Sequence, residues 1–136
     1  MADLAKAKHR QTMYPRLGII VPMAAAAGTY YKGMLLAFTS TFRVTKASGA
    51  NARFAGICQE DVTVAAGEPV DVLVNSMAWI ESSLAGTAAN TGQLVDAADT
   101  DTLAIRANNK TFMGRILTMR DGEVLVDFTT SQSAEA

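Results

Sequence analysis

Few side chains in this sequence could do covalent or acid–base chemistry. The only histidine is His9 and the only cysteine is Cys58. A Ser-His-Asp centre needs a histidine beside a pocket, and His9 lies in a polar leading segment. A Gly-x-Ser-x-Gly elbow, a Gly-Lys-Ser/Thr phosphate loop and a His-Glu-x-x-His pair are all absent from the sequence. Cys58 could act as a nucleophile or redox sensor if its thiolate were stabilised. A cysteine at the end of the apolar run Phe54-Ala55-Gly56-Ile57 instead reads as a small core hydrophobe.

Two acidic groups remain. Asp96, Asp99 and Asp101 could suggest a calcium loop, since hard cations gather carboxylates. The segment lacks the turn glycine and distal glutamate of an EF-hand, so it reads as a solvated turn between strands. Glu60-Asp61 could be an acid pair, but adjacent residues in a strand or turn point apart, so these read as a surface turn. One cysteine allows neither a disulfide framework nor a cysteine zinc site. No catalytic group, metal or cofactor is therefore expected.

The elements that would position these groups are short and apolar. A chain of 136 residues fits one domain, which can bury roughly two thirds of its unfolded surface. It is 49% hydrophobic and only 18% charged, against about 25% charged in an average domain. Other chains should therefore cover part of its surface. No apolar run approaches the ~20 residues of a membrane helix. The start lacks the basic-then-apolar order of a secretory signal, and the sequence reads as a soluble intracellular product.

Strand-like runs recur between turn residues. They are 16–21, closed by Pro22, then 34–38, 42–45, 54–58, 70–74, 77–80, 93–97, 102–106, 113–119 and 124–128. Such spacing indicates an all-β barrel or sandwich. Asp121-Gly122 is the clearest hairpin turn. Ala24–Ala27 with Gly28-Thr29 reads as a loop or one helical turn, and Glu81–Ala85 as at most a short capped turn. Residues 1–15 form an extended arm, 16–130 the single β domain and 131–136 a frayed tail. Trp79 and Tyr30-Tyr31 suit either core or interface, with core favoured for Trp79.

The two halves of the domain resemble each other over 32–74 and 91–128. Lys32-Gly33-Met34-Leu35-Leu36 aligns with Thr91-Gly92-Gln93-Leu94-Val95, and Phe54-Ala55-Gly56-Ile57 with Phe112-Met113-Gly114-Arg115. Gly67-Glu68-Pro69-Val70 aligns with Gly122-Glu123-Val124-Leu125. Gly33, Gly92, Gly67 and Gly122 would supply turns. Phe54-x-Gly56 and Phe112-x-Gly114 would each set an aromatic anchor beside a bulge or close backbone approach.

Charge is uneven. Residues 1–16 hold four basic side chains against one acidic, a net +3, whereas the remaining 120 hold eight basic and twelve acidic, a net −4. Without interleaved aromatics, such an arm is a poor nucleic-acid footprint. It can still reach toward an acidic protein surface.

The ordered blocks resemble the small capsid-cement, or head decoration, proteins of tailed bacteriophages. The resemblance runs from about Tyr31 to Phe128. It rests on Lys32–Ala37, Phe54–Asp61, Ala66–Val72, Met77–Ile80, Thr91–Val95 and Met113–Leu117. The sequence departs from the family pattern at Gln93-Leu94, where an acidic residue and proline are expected, and in its longer, more basic start. The resemblance implies a compact β-barrel or β-tulip domain, commonly a homotrimer. Its place would be the outer capsid surface of the virion, after synthesis in the host cytoplasm. There it would bridge neighbouring major capsid subunits against internal DNA pressure. The implied partners are the major capsid protein and further copies of itself, with neither nucleic acid nor membrane. The arm, through Lys6, Lys8, His9, Arg10, Tyr14 and Arg16, would order on the capsid as a clasp. Another small virion β protein, from the tail tube or head completion, is the alternative. A small β-barrel enzyme would require Glu60, Asp61 and Cys58 to converge in one pocket.

Overall fold

A computed structural model describes residues 18–48, 52–106 and 111–129. The arm residues Lys6, Lys8, His9, Arg10, Tyr14 and Arg16 and the tail lie outside the described residues. Within them are twelve strands: β1 (Ile19–Ala24), β2 (Gly28–Tyr30), β3 (Leu35–Phe38), β4 (Val44–Lys46), β5 (Phe54–Cys58), β6 (Val62–Val64), β7 (Pro69–Val74), β8 (Met77–Glu81), β9 (Leu94–Ala97), β10 (Leu103–Ile105), β11 (Thr111–Arg120) and β12 (Glu123–Asp127). A single 3₁₀ turn spans Ala88–Asn90. The protein is all-β, and every strand pairing is antiparallel.

The first sheet has the order β1-β7-β5-β3-β4, and the second β8-β12-β11-β9-β10 when read from the matching edge. Each half of the chain thus builds one five-stranded sheet of the same topology. Leu36 pairs with Gly56, as Val95 pairs with Gly114, and a register shift follows in both places. The extra residues are Ala55 and Met113. Gly33 donates its N–H to Cys58 O at 2.8 Å, as Gly92 does to Ile116 O at 2.8 Å. A β-carbon on Gly56 would lie 2.2 Å from Leu73 O, and one on Gly114 would lie 1.9 Å from Asp127 O. Leu73 and Asp127 are themselves equivalent, since they face Ile57 and Arg115. Only glycine fits where the next strand's backbone crosses so closely.

The third aligned block needs a correction. Cys58 pairs with Val72 and Ile116 with Val126, so Val70 matches Val124, not Leu125, and Glu68, not Gly67, matches Gly122. The β11–β12 hairpin closes on the two residues Asp121-Gly122, whereas the first half inserts β6 and a wider turn. In that turn Gly67 donates to Ala25 O and Glu68 Oε1 accepts the Ala65 N–H.

The third sheet is the small ribbon β2-β6, a pairing absent from the sequence-based strand assignment. It lies over one face of the first sheet, where Tyr30 and Val64 join Leu36, Val44, Cys58, Val70 and Val72 in a buried cluster. The other face of the first sheet carries Leu35, Ala37, Ala47, Ile57 and Leu73. It packs into the second sheet against Ile80, Val95, Met113, Ile116, Val124, Val126 and Phe128. Phe54 and Phe128 meet edge to face across this contact, with centroids 5.7 Å apart. The expected barrel or tulip therefore takes the form of stacked layers. The first sheet's edges meet only at an isolated parallel bridge, Ala25 with Val44.

Further differences concern strand ends. Proline was expected to close the first strand, yet β1 runs through Pro22 to Ala24. An edge strand tolerates proline where its missing N–H would face outward. Phe42 falls outside β4 because its backbone is left-handed, with φ 63°. Glu81 belongs to β8, and the turn after it is held by the Leu84 N–H bonding to Ser82 Oγ at 3.1 Å.

Candidate functional site

Cys58, Glu60, Asp61 and Asp71 lie within electrostatic reach of one another, but their partners differ. Cys58 is fully buried in the cluster beneath the ribbon, and its thiol donates to Glu60 O at 3.1 Å. Burial pushes the thiol up to about 11, so it stays protonated at neutral pH and is a poor nucleophile. The Glu60 carboxyl is also raised, first by desolvation and then by its hydrogen bond with Asp71. Asp61 turns elsewhere and accepts the Lys32 N–H at 2.9 Å. These three residues do not form a nucleophile, base and orienting group in one cavity.

The aspartate segment differs from the solvated turn expected of it. Asp96 lies within β9 and is buried, Asp99 is buried, and Asp101 is partly exposed. The cause is pairing. Arg106 Nη1 sits 2.8 Å from Asp96 Oδ1, and its guanidinium stacks over Phe112 at 4.8 Å. Asp99 Oδ1 accepts the Asp101 N–H at 2.9 Å, closing the loop on itself. Thr100, fully buried beside them, accepts the Leu35 N–H at its carbonyl at 3.0 Å and ties this loop to the first sheet. Among the described residues no three His, Cys, Asp or Glu side chains are grouped to hold a metal ion.

Trp79 is mostly buried, but on the face of the second sheet opposite the main core. The Arg120 guanidinium lies 4.1 Å above its ring and is fixed by Glu123 Oε1 at 2.6 Å. Beside this hairpin runs an open groove of about 710 Å³, lined by Ala85, Gly86, Ala88, Thr91, Thr118, Met119 and Arg120 together with the turn residues Asp121-Gly122. Its walls offer no set of converging acids and bases.

What remains exposed and apolar is a better guide. Ile19 and Ile20 on the edge strand β1 are 62% and 56% exposed, and Phe42 at the β3–β4 turn is 97% exposed. The sequence reading did not single them out as exposed, because both segments look like ordinary buried strand. Ile19-Ile20-Val21 is a continuous apolar run, and its edge position follows from topology alone. No protein-family model matches the chain, and no curated protein matches it.

Proposed function

We propose that this chain is a head decoration, or cement, protein of a tailed bacteriophage. It binds the outer surface of the shell, bridges neighbouring major capsid subunits, and does so as a homotrimer. The observation that carries this reading is the β1 edge. Ile19 and Ile20 stand exposed on an outer strand, directly after a segment holding Lys6, Lys8, Arg10 and Arg16. An exposed apolar edge is an aggregation hazard in an isolated protein and a natural seat for a partner segment. Pro22, in the middle of that strand, interrupts the outward row of donors and discourages indefinite pairing with like edges. The basic segment favours an acidic outer shell.

The mechanics suit the task. The shell of a filled head is under outward load, and a clamp resists it best with a stiff body and contacts on more than one subunit. Two stacked sheets with a shared apolar core form such a body. No chemical step is needed.

The test is mechanical. Heads lacking this chain should release their DNA at a lower temperature than complete heads, and added purified chain should restore the threshold. An unchanged threshold after saturation with the chain would contradict the proposal.

A further inference from the structure

The two sheets carry equivalent five-residue loops between the fourth and fifth strands of their ladders, β3–β4 and β9–β10. Thr39 N donates to Arg43 O at 2.8 Å in the first, and Ala98 N to Thr102 O at 2.8 Å in the second. The second loop is an internal docking element. Asp99 and Thr100 are buried, and the Thr100 carbonyl takes the Leu35 N–H of the neighbouring sheet. The first loop occupies the same position on the first sheet, whose corresponding face is covered by the ribbon β2-β6. Where the second loop has Asp101, the first has Phe42, 97% exposed and held at φ 63°.

A phenylalanine in this backbone region is rare, and the conformation costs of the order of 1 kcal/mol or more. The loop is built to hold it. Thr39 Oγ1 accepts the N–H groups of Thr41 at 3.1 Å and Arg43 at 3.3 Å, on both sides of the ring. Phe38, at the end of β3, is 43% exposed and donates its N–H to Arg53 O at 2.8 Å. The chain segment that carries the loop is basic: residues 25–59 include Lys32, Arg43, Lys46 and Arg53 and no aspartate or glutamate.

We infer that Phe42 is the anchor of a docking surface on the β3–β4 hairpin, and that its occupant is an apolar pocket rimmed by carboxylates on the shell protein. This rests on the proposed function and assigns a specific contact within it. An exposed aromatic on a hydrogen-bonded loop, next to Arg43, has the make-up of an interface hot spot. The basic flank adds a rate of encounter that falls with salt.

The test is sedimentation of the chain with heads from which it has been stripped, using wild type, Phe42→Ala, Phe42→Gly, and Arg43→Glu combined with Arg53→Glu. Glycine suits the left-handed backbone, so Phe42→Gly removes the ring while keeping the loop. Both ring deletions should weaken binding at least about tenfold with thermal unfolding no lower than wild type, and raised in Phe42→Gly, and the charge reversal should weaken binding most at low salt. Wild-type binding with both ring deletions within about twofold of it would overturn this inference and leave the decoration reading standing. Failure of wild type to bind heads would overturn both.

Discussion

The two sheets share strand order, bulge and glycine contacts, yet they treat their corresponding faces in opposite ways. On the first sheet, Leu35, Ala37, Ala47, Ile57 and Leu73 form an apolar face that packs into the second sheet. The equivalent positions of the second sheet hold Leu94, Asp96, Arg106, Arg115 and Asp127. The pairings Leu35 with Ile57 and Leu94 with Arg115 fix this correspondence. Head-to-tail stacking of like units has no natural end, and an apolar outer face would invite another copy. Here the ribbon β2-β6 covers one end of the stack, and charged side chains occupy the other. The folding core and its termination are thus written on one repeated scaffold by a handful of substitutions.

Exchanging residues between the sheets should produce the largest effect. Ile57→Arg places at the sheet interface the charge that its counterpart Arg115 carries at the surface, where Arg115 bonds to Gly92 O. With Ile57 fully buried, the variant should lose at least ~4 kcal/mol or fail to fold. The converse, Arg115→Ile, should change stability by less than ~1 kcal/mol in the same denaturant titration. Equal damage from the two would erase the distinction between the faces.

A smaller effect is expected at the pair that replaces Ala37 and Ala47. Arg106→Ala takes the cation away from the buried Asp96 carboxylate and should cost ~3 kcal/mol. Adding Asp96→Ala recreates the alanine pair of the first sheet and should recover most of that loss. The double-mutant cycle in urea measures the difference, and no recovery would assign Arg106 a packing role unrelated to the ion pair.

The smallest effect separates the core beneath the ribbon from the core between the sheets. Cys58 titrates near 11 when folded, raised by burial from an ordinary value of 9.0. Its contribution is therefore complete below pH 9 and disappears as pH rises through 11. Cys58→Ala should flatten the alkaline fall in stability over that window, while Met113→Leu in the inter-sheet core should leave its shape unchanged. Identical alkaline profiles for wild type and Cys58→Ala would sink this assignment.

Much of the ladder was legible because its signals are local. Phe54-x-Gly56 and Phe112-x-Gly114 announce a bulge wherever they occur, and Asp121-Gly122 dictates a tight hairpin. The ribbon escaped notice because Gly28–Tyr30 and Val62–Val64 are three residues each and become strands only by meeting across a long loop. The burial of Asp96 was equally hidden, since it depends on Arg106 arriving from the adjacent strand. Phe42 reads as strand until its backbone is seen to turn left-handed. Exposure at β1 follows from strand order, which no local pattern encodes.

The decoration reading is tested most directly by quantitative mass spectrometry of purified phage heads, with this chain counted against the major capsid protein. The account predicts a fixed copy number comparable to that of the shell subunits, retained through washing. Its absence from mature heads, or its presence at only a few copies per particle, would contradict it.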